Sequence, residues 1–182
     1  MSTPPVFHTE RLTMRSFQLS DASEVQRLAG DYAIAKTTLG IPHPYPERAA
    51  EEWIGSLAES YRTNQLANFA ITLREKKALI GSIGLILTLD HKRAEAGYWI
   101  GKPYWRNGYA SEALGAILYF GFHTLSLNRI HAQVFAGNPS SERVLIKNGL
   151  TFEGKLKQHV IKEKKYIDLK QYAILRSDYI KD

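Results

Sequence analysis

The stretch Tyr98-Trp99-Ile100-Gly101-Lys102-Pro103-Tyr104-Trp105-Arg106-Asn107-Gly108-Tyr109-Ala110-Ser111-Glu112 leaves a β-rich segment, passes through a turn and runs straight into a helical pattern. The first amides of a helix have no partners inside it, and together with the helix dipole they attract an anion such as a pyrophosphate. Gly108 places no Cβ in the way of that anion, and Ala110 keeps the first helical turn narrow. The stretch has neither the G-x-G-x-x-G of a dinucleotide site nor the G-x-x-x-x-G-K-S/T of a P-loop. One glycine after a strand is also what an ordinary turn looks like, so the neighbouring segments decide.

Upstream of the turn, residues 93–100 read as a strand, and residues 68–74 and 79–89 as a hairpin about the charged turn Glu75-Lys76-Lys77. Residues 10–16 alternate in character and predict a first strand. After Ser20-Asp21, a helix follows with Ala22, Val25, Leu28 and Ala29 as its apolar stripe. Pro42, Pro44 and Pro46 forbid a helix over residues 40–46 and leave a stiff loop bearing His43 and Tyr45. A second helix spans 47–61, burying Ala50, Trp53, Ile54, Leu57 and Ala58. Downstream, residues 110–125 form the longest helical pattern, with Ala113, Leu114, Ile117, Leu118 and Phe122 at helical spacing. A strand over 129–135, a short helix over 140–148 ended by Gly149, and strands over 150–161 and 166–175 complete the order β-α-α-β-β-β-α-β-α-β-β. That order predicts a mixed sheet with helices on its faces, in the α/β (α+β) class.

The chain has 182 residues, 44% hydrophobic and 23% charged, which suits a single domain over 1–182. With no cysteine it has no disulfide, no thiolate metal site and no cysteine nucleophile, and no His, Asp or Glu spacing points to a metal. The first residues lack a basic stretch followed by an apolar run, and no segment approaches about 18 uncharged apolar residues. A cytoplasmic protein with no membrane span is therefore expected. A net charge of +6 and a pI near 9.4 favour anionic partners and disfavour polycationic ones. Lys162-Glu163-Lys164-Lys165 reads as a solvated hairpin turn, and no nucleic-acid motif accompanies it, so no direct nucleic-acid partner is expected.

The chain resembles the GNAT acyltransferases, and within them the ribosomal-protein-alanine N-acetyltransferases. The resemblance rests on Thr9-Glu10-Arg11-Leu12 with Arg15, Ile80-Gly81-Ser82-Ile83-Gly84-Leu85, and Glu95-Ala96-Gly97-Tyr98-Trp99-Ile100. It continues through Asn107 to Leu114, Asn138-Pro139-Ser140-Ser141-Glu142-Arg143, Lys147-Asn148-Gly149-Leu150 and Tyr172-Ala173. It implies the GNAT fold, a mostly antiparallel sheet of about six to seven strands flanked by about four helices. It also implies acetyl-CoA as acyl donor. The main-chain amides of Arg106, Asn107, Gly108, Tyr109, Ala110 and Ser111 would hold the coenzyme pyrophosphate. Tyr98, Trp99 and Ile100 would pair with the pantetheine arm as an added strand, and Asn138 would contact the coenzyme near its thiol. The family's coenzyme signature has Arg or Gln three residues before its glycine, and Trp105 stands there instead.

Attack of a neutral amine on a thioester requires a base, and the departing thiolate benefits from an acid. Glu95, on the strand entering the turn, matches an acidic position of the resembled branch and is the first candidate base; a strand-face carboxylate paired with a cation is the other reading of it. His131, with Gln133 two residues on, is a second candidate. Many GNAT enzymes carry a thiolate-protonating Tyr seven residues after the matching asparagine. That position is Leu145 here, so Ser141 becomes the candidate acid, or else a helix cap. The acceptor site is expected between the N-terminal helices and the rigid loop, with Tyr32, His43, Tyr45 and Trp53 nearby. The predicted reaction is acetyl transfer from acetyl-CoA to a primary amine, including the N-terminal α-amino group of a ribosomal or other protein. Aminoglycosides, polyamines and amine toxins remain alternative acceptors, and a non-catalytic acyl-CoA-binding module the alternative function. Monomer and homodimer are both compatible with the sequence.

Overall fold

The computed structural model describes residues 3–179. One eight-stranded sheet organises the chain, in the order β1-β2-β3-β4-β5-β6-β8-β7. The strands are β1 (Phe7–His8), β2 (Leu12–Arg15), β3 (Leu66–Leu73), β4 (Leu79–Thr88), β5 (Arg93–Ile100), β6 (Arg129–Phe135), β7 (Thr151–Lys162) and β8 (Lys165–Leu175). Every neighbouring pair is antiparallel except β5 and β6, which run parallel. The sheet is mixed and mostly antiparallel, as the order of elements and the GNAT resemblance together predict.

Helices α1 (Ala22–Ala29) and α3 (Ala49–Arg62) cover one face. Ala22, Val25, Ala29, Ala50 and Ile54 pack with Ala70 of β3 and Leu79 of β4, and Trp53 and Trp99 flank that cluster. Helix α4 (Tyr109–Tyr119) lies on the opposite face, where Ala113, Leu114, Ile117 and Leu118 meet Phe69, Ile83, Leu85 and Ile130 in the main core. Helix α5 (Pro139–Lys147) follows β6, and Leu145 is its buried anchor. β4, between the two layers, is buried along most of its length, which explains its nearly unbroken apolar run.

Local departures from the sequence reading have physical causes. β1, α2 (Tyr32–Ala35) and α6 (Arg176–Tyr179) have too few residues to show a period. The expected helix over 110–125 is α4 followed by a π-helical turn, Phe120–Thr124, in which Leu125 N–H donates to the Phe120 carbonyl. Ala58 is exposed, and Tyr61 takes the last buried position of α3. Among the described residues no helix is long and apolar enough to cross a membrane, and no group of three His, Asp or Glu gathers as a metal site.

Gly81 sits where β4 and β5 run tightest: a Cβ there would lie 2.2 Å from the Trp99 carbonyl oxygen. Because backbone cannot yield as a side chain does, Gly81→Ala is expected to cost about 1–3 kcal/mol. The loss should appear as a lower urea midpoint with an unchanged slope.

Candidate active site

The parallel pair β5 and β6 makes only the partnerships Arg93 with Arg129, Ala94 with Ile130, and Glu95 with His131. Beyond Glu95, β5 stays with β4 as far as Ile100, while β6 stays with β8 as far as Phe135. The sheet therefore splits after Glu95, and the outer edge of β5 is left without a strand partner. Two cavities, of about 600 and 550 Å³, flank this split and share Thr37, Thr38, Tyr98, Trp99, Asn138 and Ser141 as lining residues.

The larger cavity ends on the glycine turn. Gly108 is the N-cap of α4, left-handed at φ +79°, with no side chain capping the helix. Among the described residues the amides of 106 to 111 find no protein acceptor, so Arg106 to Ser111 present free N–H groups at this end of the cavity. Trp105 does not substitute for the family's Arg or Gln as a ligand. Its indole N–H turns back to the Ile100 carbonyl, 2.5 Å away, and braces the turn from within. The Asn107 side-chain Nδ2 does likewise, donating to the carbonyls of Tyr104 and Trp105 at 3.1 and 2.9 Å.

A second brace comes from far upstream. Arg11 donates to the Asn107 carbonyl at 2.9 Å, forms an ion pair with Glu112 at 2.7 Å, and lays its guanidinium 4.8 Å from the centre of the Tyr109 ring. Glu112 also accepts from the Thr9 hydroxyl at 2.6 Å and from the Arg11 amide at 2.9 Å. The motif Thr9-Glu10-Arg11-Leu12 thus fixes the glycine turn against β2. Arg11→Ala is expected to raise the KM for acetyl-CoA about three- to tenfold with little change in kcat, since the turn loosens while the reacting end is untouched. Initial rates at varied acetyl-CoA check this.

Where the two cavities meet, Asn138 caps α5 by accepting from the Ser141 amide at 3.2 Å, so neither Ser140 nor Ser141 is the cap. The Ser141 hydroxyl is free for another bond and lies 2.8 Å from the Tyr98 hydroxyl. Burial, opposed by that hydrogen bond, pushes Tyr98 up to about 12, so its O–H stays protonated. Leu145 is fully buried. A phenol from β5 thus lies beside Ser141, a placement of the Tyr98 side chain that the sequence reading did not anticipate. Its alternation with Ala96 and Ile100, which places it on the α4 and α5 side of the sheet, was the available signal.

The smaller cavity lies on the α1 and α3 side. Glu95, 38% exposed, faces His131 across the last β5–β6 pair with Oε2 3.7 Å from Nε2. Burial holds His131 below its ordinary value, overriding the pull of Glu95 in the other direction, and its Nδ1 is buried with no hydrogen-bond partner. His131 is therefore a neutral imidazole at pH 7. Gln133 lines the cavity and donates to Gln171 at 3.2 Å. Tyr45 and Trp53 line the cavity, whereas Tyr32 and His43 do not. The rings of these last two pack on each other outside it, 5.1 Å apart.

A family model described as an acetyltransferase (GNAT) domain matches residues 11–151. The chain belongs to the GNAT acetyltransferase family. An uncharacterized N-acetyltransferase of Bacillus subtilis (strain 168), YoaA, is 33% identical over 173 residues, covering 94% of this chain and 97% of that protein. The ribosomal-protein-serine acetyltransferase of Escherichia coli (strain K12) is 34% identical over 83 residues, 46% of either chain. Among solved structures, a GNAT-family acetyltransferase from Bacillus anthracis superimposes with a TM-score of 0.85 at 27% identity, covering 95% of this chain and 99% of that one. This GNAT protein is an acetyl-CoA-dependent N-acetyltransferase.

Proposed function

We propose that residues 1–182 act as one cytoplasmic acetyltransferase domain in which Glu95 is the base and the Tyr98–Ser141 pair is the acid, with a protein N-terminus as acceptor. The observation that carries the reading is the Tyr98–Ser141 hydrogen bond at the junction of the two cavities. The amides of Arg106 to Ser111 hold the coenzyme pyrophosphate, the free edge of β5 at Tyr98, Trp99 and Ile100 takes the pantetheine arm, and Asn138 meets it near the thiol. Acetyl-CoA supplies an activated acyl group. Glu95 accepts the amine's proton, directly or through a water. Main-chain N–H groups on the open edge of β5 stabilise the carbonyl oxygen as it gains charge. Ser141 donates to the departing sulfur, and Tyr98, kept neutral by burial, donates to Ser141 in turn. Glu95 is favoured over His131 because it is the more exposed of the two and His131 Nδ1 is buried in the sheet.

The acceptor reading draws on the similarity to the ribosomal-protein-serine acetyltransferase of Escherichia coli. Thiol release from acetyl-CoA in the presence of peptides with free or blocked N-termini tests it. Turnover confined to free N-termini is expected. Coenzyme binding without turnover on any amine would instead mark a non-catalytic acyl-CoA-binding module.

A further inference from the structure

The lining of the acceptor cavity narrows the chemistry of the amine. Its volume of about 550 Å³ suits a small ligand or the end of a larger one, and Leu39, Ile41, Trp53, Ile86 and Trp99 give it apolar walls. Glu95 is the one charged side chain among its described lining residues. The polar lining groups are neutral and largely occupied: Ser82 donates to Asn68 at 2.6 Å and Gln133 to Gln171 at 3.2 Å. Of the carboxylates elsewhere on the β7, β8 and α5 side, Glu153 is held by Arg129, Glu142 by Lys170 and Tyr172, and Asp168 by Lys155, while Glu163 in the hairpin turn accepts from the Tyr32 hydroxyl at 3.3 Å. The β7–β8 hairpin reaches the rim of the cavity, where Lys162 donates to the Ile41 carbonyl at 2.9 Å, and the turn Lys162-Glu163-Lys164-Lys165 carries three lysines to one carboxylate.

An ammonium withdrawn from water needs a carboxylate or a full set of acceptors. This cavity offers that once, at Glu95. A polyamine or aminoglycoside would place its further charges against apolar walls or near the lysines of the hairpin, and the chain's net charge of +6 adds to the penalty. We infer that the acceptor is a monocationic amine whose carbon next to nitrogen carries an apolar group, and that polycationic amines are rejected. The inference rests on the reading of this cavity as the acceptor side. An N-terminal α-amino group on an apolar residue meets the description.

The test compares kcat/KM for phenethylamine, an apolar monocation, with that for spermidine and kanamycin, each with acetyl-CoA. Phenethylamine is expected to exceed both by about tenfold or more, the worth of one desolvated charge left unpaired. Ile86 lies directly across from Glu95 in the β4–β5 register and is 56% exposed. Ile86→Glu therefore adds a second carboxylate without emptying the core, and the spermidine to phenethylamine ratio should rise about tenfold. A wild-type preference for spermidine, or a ratio unmoved by Ile86→Glu in a folded, acetyl-CoA-binding variant, overturns the inference and leaves the acetyltransferase reading standing. No turnover on any amine, with acetyl-CoA binding intact by calorimetry, overturns both.

Discussion

Glu95→Gln is expected to lower kcat by about 10²- to 10⁴-fold, the usual worth of a positioned base, with acetyl-CoA affinity unchanged. Gln has the same shape and keeps the place beside His131, so the loss isolates the proton acceptor from packing. The residual rate should climb with pH up to the amine's own pKa, about 8 for an α-amino group, because only acceptor already neutral can then attack. His131→Asn is the control. If Glu95→Gln kept more than a tenth of the wild-type rate while His131→Asn abolished turnover, the base would be the imidazole. Access argues the other way: the His131 side chain is less exposed than that of Glu95, and its Nδ1 is buried.

How far this site was legible in the sequence depends on which physical rule each residue obeys. Gly108 and Ala110 follow local backbone rules, and the left-handed Gly108 at the N-cap of α4 is readable from a strand, a turn and a helical period in succession. Period-two alternation likewise assigns Glu95, His131 and Gln133 to one face of their strands. Alternation says nothing of where two parallel strands stop pairing, yet the split after Glu95 makes the site, and it follows from β6 leaving β5 for β8. Pairings across long stretches of chain are equally silent. Arg11 meets Glu112 across 101 positions and Tyr98 meets Ser141 across 43, so neither the brace behind the glycine turn nor the Tyr98–Ser141 pair follows from local pattern. The contact between Tyr32 of α2 and His43 of the rigid loop is silent in the sequence for the same reason: their rings pack on each other instead of lining the cavity.

The Tyr98–Ser141 hydrogen bond gives the sharpest test of the proposed acid. Ser141→Ala is expected to lower kcat about 10²-fold and Tyr98→Phe about tenfold, each with little change in the KM for acetyl-CoA, since the coenzyme is held mainly by main-chain amides. If the two hydroxyls act as one unit, the double variant should be no slower than Ser141→Ala alone, because removing Ser141 already severs Tyr98 from the sulfur. Losses that multiply would mean that Tyr98 reaches the thiol independently, and losses confined to KM would reduce the pair to a packing contact. The pH profile adds a second readout. With Tyr98 pushed up from 10.0 to about 12 by burial, only about a thousandth of it is ionised at pH 9. The proton it donates is therefore present throughout the assay range, and no alkaline fall in kcat should arise from it below about pH 11. A group raised in this way favours the folded state below the unfolded value of 10.0 and loses that contribution as the pH climbs toward 12. An alkaline limb near pH 9 would thus have to come from another group, and its survival in Tyr98→Phe would show that it does.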